Sequence, residues 1–274
     1  MSVLNTLRRR AGVYGAIAAM VPKGFLAYSL WVWVELFTQV LSMAIMSFFW
    51  RAVYAGAGGG LIGGLTLQQT LNYVLLAQVL APMVESRFIF HMGWMLREGQ
   101  IAVDLARPVD MQARYGAENL AELLTDLTIK APLLLVAWLL FGLQLPSNPL
   151  TWGAFFVALL LGRVVFFCFN WMFASLAFYT TETWGLSVLY EGVAKFFSGA
   201  LLPLAILPGW LQTVADVLPF AQMLYVPVAL LSGITPLSEA PRVWLIQLAW
   251  LVGTAVVSRY AFNFGLRKVT VQGG

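Results

Sequence analysis

Residues 25–50 read FLAYSLWVWVELFTQVLSMAIMSFFW, and Glu35 is the only charged residue among them. The hydrocarbon core of a bilayer is about 30 Å thick, so a helix of roughly 20 apolar residues can span it. This stretch is long enough and apolar enough to do so. It predicts a membrane-spanning helix, and with it an all-α integral membrane fold, because helices satisfy their own backbone hydrogen bonds in lipid.

Five more apolar segments follow the first, at residues 67–85, 123–143, 152–179, 184–207 and 243–264. The whole chain is 61% hydrophobic and 10% charged, whereas soluble domains have about 25% charged residues. A soluble chain this apolar could not cover its core with polar surface. The sequence therefore predicts a single transmembrane domain over residues 1–274, with six spanning helices.

The basic residues set the expected orientation, because cytoplasmic loops are enriched in Lys and Arg. With the N-terminus inside, eleven of them fall near cytoplasmic ends: Arg8, Arg9, Arg10, Lys23, Arg87, Arg97, Arg107, Arg114, Arg259, Arg267 and Lys268. The segments placed outside hold only Arg51 and Arg242. We expect a multi-pass protein of the cell (plasma or inner) membrane with both termini in the cytoplasm.

Residues 1–24 combine three consecutive arginines with apolar residues at three- to four-residue spacing. This pattern predicts an amphipathic helix lying on the inner membrane surface. The alternative is a basic tail that only sets the topology.

Residues 208–232 are apolar but contain Pro208, Pro219 and Pro227. Each proline removes a backbone donor, so a straight span is disfavoured. We predict a re-entrant helical hairpin on the outer face, with Trp210, Phe220 and Tyr225 as outer gate residues. The alternative is a seventh span, which would place Arg267 and Lys268 outside, against the charge rule.

Residues 86–118 form the longest predicted cytoplasmic loop, and apolar and charged residues alternate within its part 86–108. This pattern predicts a short amphipathic helix presented to a soluble partner. Its contact residues would be Met95, Arg97, Glu98, Ile101, Asp104, Leu105 and Arg107. The alternative is a helix that merely lies on lipid headgroups.

Charged residues within the spans are costly in lipid and usually face protein or water. Asp126 and Lys130 are four residues apart, as are Glu191 and Lys195, so each pair can form on one helix face. These pairs could be structural, or they could contact a substrate. Glu35 and Arg163 lie at similar depth, and we expect them to pair across helices or to face a wet pathway.

No sequence motif for catalysis is present. The chain has one histidine, His91, and one cysteine, Cys168, and it contains no HExxH or Gly-x-Ser-x-Gly motif. Its basic residues sit beside apolar runs instead of forming a patch typical of nucleic-acid binding. We expect no enzyme activity, no metal or cofactor, and no nucleic-acid partner.

Two stretches and the overall layout resemble the membrane subunits of type-2 ABC exporters, in particular the bacterial branch with two permeases and one ATPase. LREGQIAVDLARPVD (96–110) is similar to that family's run after the second span. LPGWLQTVADVLPFAQMLYVPVALLSG (207–233) is similar to its run before the last span. Gln100 departs from the family pattern, where Glu is expected.

The resemblance implies a permease domain that uses ATP hydrolysed by a separate ATPase subunit, which would bind the ATP and Mg²⁺. Residues 86–108 would be the coupling helix, and 208–232 would close the pathway on the outer side. A second permease chain, identical or related, and membrane lipids are the other implied partners. The substrate would be an amphipathic small molecule, a lipid or a peptide.

Two other classes of function remain open at this point. An ion-coupled secondary transporter would show inverted repeats and helices broken at the midplane, and no clear repeat is present. A membrane scaffold without transport activity would not need an amphipathic cytoplasmic helix of this kind.

Overall fold

The computed structural model describes residues 12, 14–27, 29–85, 88–180 and 182–268. Within these residues the named elements are all helices, which confirms the all-α prediction. Four of the described helices are long and apolar enough to cross a membrane: Leu30–Gly56, Met111–Phe141, Pro149–Phe178 and Leu237–Leu266.

The helices are numbered here in chain order. The first six are α1 Val21–Ala27, α2 Ser29–Gly56, α3 Leu67–Leu80, α4 Phe88–Arg97, α5 Gln100–Leu105 and α6 Met111–Val136. The next six are α7 Pro149–Ala174, α8 Thr183–Phe197, α9 Gly209–Val217, α10 Phe220–Met223, α11 Tyr225–Ser232 and α12 Ala240–Leu266. Short 3₁₀ turns extend α3 to Val84 and α7 to Phe178, and a π turn extends α6 to Phe141.

Helix α7 is the centre of the bundle, packed against α4, α6, α10, α11 and α12. Gly162 permits the closest approach: a Cβ at this position would lie 2.5 Å from the carbonyl oxygen of Gln222. Gln247 of α12 donates hydrogen bonds of 2.9 Å to the carbonyls of Ala158 and Gln222. The three helices therefore meet through small residues and a buried amide, as is common in membrane bundles.

Helix α3 is surrounded by protein, since ten of its fourteen residues are buried. The polar residue Asn72 is one of the ten. The helix begins with a capping box, in which the side chains of Thr66 and Gln69 each accept a hydrogen bond from the other residue's backbone N–H. The side chain of Asn72 accepts hydrogen bonds from Gln68 and from the amide of Gln144. Its apolar segment matches the predicted second span, but its 14 helical residues and 3₁₀ extension do not qualify as a span by length and composition.

The proline-rich segment is broken, as predicted. Residues 209–232 form three short helices, α9, α10 and α11, with Pro208 and Pro219 immediately before two of them. Helix α11 packs against α3 and α7, and most of its side chains are buried. The segment is therefore a folded part of the bundle and not a single straight helix.

Two of the predicted element bounds need correction. Helix α6 begins at Met111, not near residue 123, so the predicted loop 86–118 includes its first two turns. Helix α8 ends at Phe197, ten residues before the predicted fifth segment ends. Of the predicted surface helix 1–24, residues 1–11 and 13 lie outside the described part, and residues 14–18 and 21–24 are helical.

Candidate coupling surface and charged cavity

The segment predicted as one amphipathic helix forms two, α4 and α5. They join at Gly99, whose φ of +68° is readily adopted by glycine but rarely by other residues. Helix α4 packs against α7, α8 and the turn Ser175–Phe178. The bend therefore ends α4 within the bundle and starts α5 in a new direction.

Two of the predicted contact residues are buried within this chain. Met95 is 3% exposed and Ile101 is 2% exposed, so neither can contact a soluble partner in this conformation. Their prediction as docking residues is wrong, because the apolar side of the amphipathic pattern faces the protein's own core. Apolar periodicity alone does not say what a helix face packs against.

Asp104 also faces inward, where it fastens α5 to α6. Its carboxylate accepts hydrogen bonds from Arg114 and, at 2.9 Å, from the hydroxyl of Tyr115. Arg107 pairs with the same carboxylate at 3.4 Å from a more exposed position. Asp104 was predicted to contact a partner, but it instead anchors α5 to α6.

The exposed residues of this segment are a mixture of charged, polar and apolar side chains. We define the coupling surface as Arg97, Glu98, Gln100, Val103, Leu105 and Arg107, all of them exposed. Val103 is 55% exposed and Leu105 is 41% exposed. Four of the seven predicted contact residues thus remain available to a partner.

A stripe of charged side chains runs along α6. It comprises residues four positions apart: Arg114, Glu118, Glu122, Asp126 and Lys130. Side chains at this spacing are neighbours on a helix. Arg114 pairs with Glu118 at 3.1 Å, and Lys130 pairs with Asp126 at 3.4 Å. The second pair was predicted from spacing and is confirmed.

The stripe on α6 also receives charges from two other helices. Arg163 of α7 lies 3.2 Å from Glu122, and its Nε donates to the carbonyl of Asn119. Lys130 lies 2.9 Å from Glu35 of α2. The predicted pairing of Arg163 with Glu35 is therefore wrong, because α6 supplies a nearer partner of opposite charge to each.

The predicted pair within α8 is also wrong. Lys195 pairs with Glu85 at 2.7 Å, and in the described part of the chain no ion pair joins Lys195 to Glu191. Glu85 follows the turn after α3, so this contact links the connection between α3 and α4 to α8. A second link joins Arg259 of α12 to Asp110, the N-cap residue of α6.

Two ionisable groups beside the coupling surface have shifted pKa values. Partial burial lowers the pKa of His91, and Arg114 lowers it further while Asp104 opposes the change. Burial raises the pKa of Asp110, but hydrogen bonds from Arg259 and the amide of Ala113 outweigh it, so the pKa is lowered overall. At neutral pH we therefore expect a neutral imidazole and an ionised carboxylate here.

A cavity of about 400 Å³ lies between α4, α6 and α7, and we call it the charged cavity. Its ionisable and polar lining comprises Glu85, His91, Glu118, Asn119, Glu122, Arg163 and Asn170. Its aromatic lining comprises Phe88, Tyr115, Phe166 and Phe167. The charged stripe of α6 thus forms one wall of a cavity.

The predicted outer gate residues do not form one group. Trp210 on α9 is 69% exposed, so it packs little against the rest of the segment. Phe220 is buried against Phe169 and Tyr190. Tyr225 packs against Tyr73 with the rings tilted and 5.6 Å between their centroids. The last two hold the segment in the bundle, whereas Trp210 faces outward.

Sequence reasoning missed the cavity residues Glu118, Asn119, Glu122 and Asn170. A signal was present, because the charges from Arg114 to Lys130 recur at every fourth position without interruption. Such regularity indicates one helix carrying a continuous polar stripe. No sequence pattern indicated that Asn170, in the last two turns of α7, would face the same space.

A protein-family model described as "ABC-2 family transporter protein" matches residues 40–273. The match covers most of the chain, from within α2 to beyond α12. No curated protein matches the chain.

Proposed function

Since the chain belongs to the ABC-2 family of transporter proteins, we propose that it is the permease subunit of an ATP-driven exporter. It would span the membrane, while a separate ATPase subunit would bind ATP and Mg²⁺ and supply the energy. Membership of this family implies an ABC ATPase partner. Export as the direction of transport is part of the proposal.

The coupling surface is the observation that best supports a docked ATPase. Its two apolar residues, Val103 and Leu105, are exposed beside Arg97, Glu98 and Arg107. Interfaces commonly combine buried apolar anchors with charged residues at the rim, which set orientation and encounter rate. A cleft on a soluble partner could accommodate α5 in this way.

The contacts behind this surface offer a route for movement into the bundle. Asp104 ties α5 to Arg114 and Tyr115 of α6, so a displacement of α5 would act on the first turn of that helix. Helix α4 packs tightly on α8, where a Cβ on Gly93 would lie 2.2 Å from the hydroxyl oxygen of Thr183. Both contacts make α4 and α5 move with the helices that they touch.

We propose six spans, in which α3 with its 3₁₀ extension and α8 with the residues after it complete the four long helices. Helix α3 packs against α2 and α6, and α8 packs against α4 and the turn after α3. The exposed aromatic side chains of α2, such as Trp31, Phe37 and Phe48, suit lipid or a second permease chain. The working unit would contain two permease chains and two ATPase chains in the cell membrane, with both termini of each permease in the cytoplasm.

The test is to place a charge on the coupling surface. Leu105→Asp and Val103→Asp each put a carboxylate where an apolar anchor would be desolvated, so we expect ATPase binding to weaken at least about tenfold. Substrate-stimulated ATP hydrolysis should fall with it. The measurements are co-purification with the ATPase and hydrolysis after reconstitution in nanodiscs.

Leu61→Asp is the matched control, because Leu61 is 66% exposed on the loop between α2 and α3 that we place outside. It should leave both measurements unchanged. Ile101→Asp should instead unfold or destabilise the chain, since Ile101 is buried. If Leu105→Asp and Val103→Asp retain normal ATPase binding and hydrolysis, α5 is not the coupling site.

A further inference from the structure

The wall of the charged cavity is rich in hydrogen-bond acceptors. It presents the carboxylates of Glu85, Glu118 and Glu122, which pair with Lys195, Arg114 and Arg163; of these three bases, only Arg163 is among the described residues that line the cavity. Arg163 is already held by Glu122 and by the carbonyl of Asn119. A ligand that enters this space therefore meets acceptors that favour a positively charged donor.

Two amide oxygens on the cavity wall lack a hydrogen-bond donor. The Oδ1 atoms of Asn119 and Asn170 are buried, and neither has a partner among the described residues. Asn170 is only 2% exposed, and its Nδ2 donates to the carbonyl of Phe166, which fixes the amide. A buried acceptor without a donor loses hydration that nothing offsets, so a ligand that donated to these two oxygens would be stabilised. They are the second indication of a donor ligand.

The rest of the lining is aromatic and suits an apolar body next to that donor. Phe88 lies 5.1 Å from the ring of Tyr115, and Phe166 and Phe167 lie on the opposite helix. Aromatic faces attract cations as well as apolar groups. The volume of about 400 Å³ lies within the range of roughly 300–1,000 Å³ that is usual for small-molecule sites.

A metal ion fits this cavity less well than an organic cation. Among the described residues, no group of three or more His, Cys, Asp or Glu side chains is arranged to hold a metal ion. The three carboxylates are instead spread along the wall, and each is paired with a basic side chain. Carboxylates spaced in this way suit an organic molecule whose charged end contacts one or two of them while the rest of the molecule contacts the aromatic lining.

We propose that the charged cavity binds an organic ammonium ion with a compact apolar body, so that cationic amphiphiles are the substrate class of this permease. The ammonium group would donate to Glu118 or Glu122 and to the free amide oxygens. The apolar body would lie against Phe88, Phe166 and Phe167. The assignment of this ligand as a transported substrate rests on the proposed function, whereas its binding to the cavity does not.

The first experiment compares three probes of one shape on the full chain in nanodiscs without nucleotide. The probes are 2-phenylethylamine, its neutral N-acetyl derivative and the anion 3-phenylpropionate, measured by equilibrium binding at pH 7. We expect the ammonium to bind at least about tenfold more tightly than the other two. Equal affinity of the neutral or anionic probe would overturn the proposal, and this comparison needs no variant.

Variants then place the probe in the cavity. The double change Glu118→Gln and Glu122→Gln removes two charges while it keeps hydrogen-bonding side chains, and it should weaken 2-phenylethylamine binding at least about tenfold. Asn119→Asp adds a carboxylate of nearly the same shape and should tighten binding severalfold. Glu239→Gln is the control. Glu239 pairs with Arg242 at the start of α12, and the described lining of the cavity includes no residue of that helix. Unchanged affinity in both cavity variants would overturn the proposed site.

The same preparation separates this inference from the proposed function. Selective ammonium binding by a chain that does not associate with an ATPase would support the cavity and refute the exporter. Normal ATPase coupling in a chain that shows no preference for the ammonium probe would do the reverse.

Discussion

At the scale of single residues, Lys130 shows how this chain holds a charge inside a membrane bundle. Its side chain is only 3% exposed and has carboxylate partners on two helices, Asp126 at 3.4 Å and Glu35 at 2.9 Å. A buried ammonium is costly unless opposite charges or water compensate for the lost hydration. The two carboxylates provide this compensation and join α2 to α6.

Replacing Lys130 should therefore be costly. Lys130→Met keeps the length of the side chain but leaves Asp126, which is 15% exposed, without its ammonium partner, so we expect a loss of about 3 kcal/mol in unfolding free energy. The measurement is reversible unfolding in mixed micelles. Adding Asp126→Asn should recover part of the loss, because the uncompensated charge is then absent. If the two losses simply add, the pair does not carry the coupling described here.

The exposed pair between Arg242 and Glu239 provides the comparison. It is solvent-exposed, and such pairs contribute little, so Glu239→Gln should change stability by less than about 0.5 kcal/mol.

The sequence predicted the contact between Asp126 and Lys130, because spacing within a helix fixes it. It could not predict Glu35 as the second partner, since that depends on how α2 and α6 are rotated against one another.

At the scale of elements, α7 and α10 approach each other closely at Gly162, where there is no side chain to separate them. A methyl group there would lie 2.5 Å from the carbonyl oxygen of Gln222, and a backbone atom cannot move aside as a flexible side chain can. Gly162→Ala should therefore destabilise the protein by about 1–3 kcal/mol, measured by unfolding in mixed micelles.

Gly153 on the same helix is the matched control. No atom lies within 4 Å of a Cβ built there, so Gly153→Ala should be neutral or should stabilise the helix by up to about 1 kcal/mol. Equal effects of the two substitutions would mean that helix propensity, and not close packing, decides the cost at residue 162.

Elements were predictable where local chemistry decides them. Pro208 and Pro219 indicated a broken segment, and short helices are found there. The start of α6 was predicted twelve residues too late, because apolar content marks only the later part of this helix, and its first turns carry Arg114, Glu118 and Glu122. Those charges are compatible with a helix in the bundle because their partners lie on α5, α7 and α6 itself.

At the scale of the whole molecule, the proposed topology places the coupling surface and the start of α7 on opposite sides of the membrane. In a Cys168→Ala background, Ser147→Cys should react with an impermeant maleimide in intact cells. Gln100→Cys should react only after the cells are permeabilised. The background protein alone should remain unlabelled, since it has no other cysteine.

The reverse pattern of labelling would invert the orientation, and labelling of both positions in intact cells would mean that α6 does not cross the bilayer. The sequence alone indicated a polytopic membrane protein, because hydropathy and charge bias depend on the chain and the bilayer only. The charged cavity could not be predicted in this way, since it exists only where α4, α6 and α7 pack together.

The burial of α3 has a consequence for how the protein is made. Its segment contains Gln68, Asn72 and Gln78, and its packing partner α11 is synthesised about 150 residues later. Until α11 is present, α3 lacks the neighbour that shields part of its surface, and a helix with several polar side chains enters lipid poorly by itself. During biogenesis, α3 should therefore stay beside α2 at the insertion machinery until translation is nearly complete. Stable insertion of the N-terminal third of the chain should then require the C-terminal third.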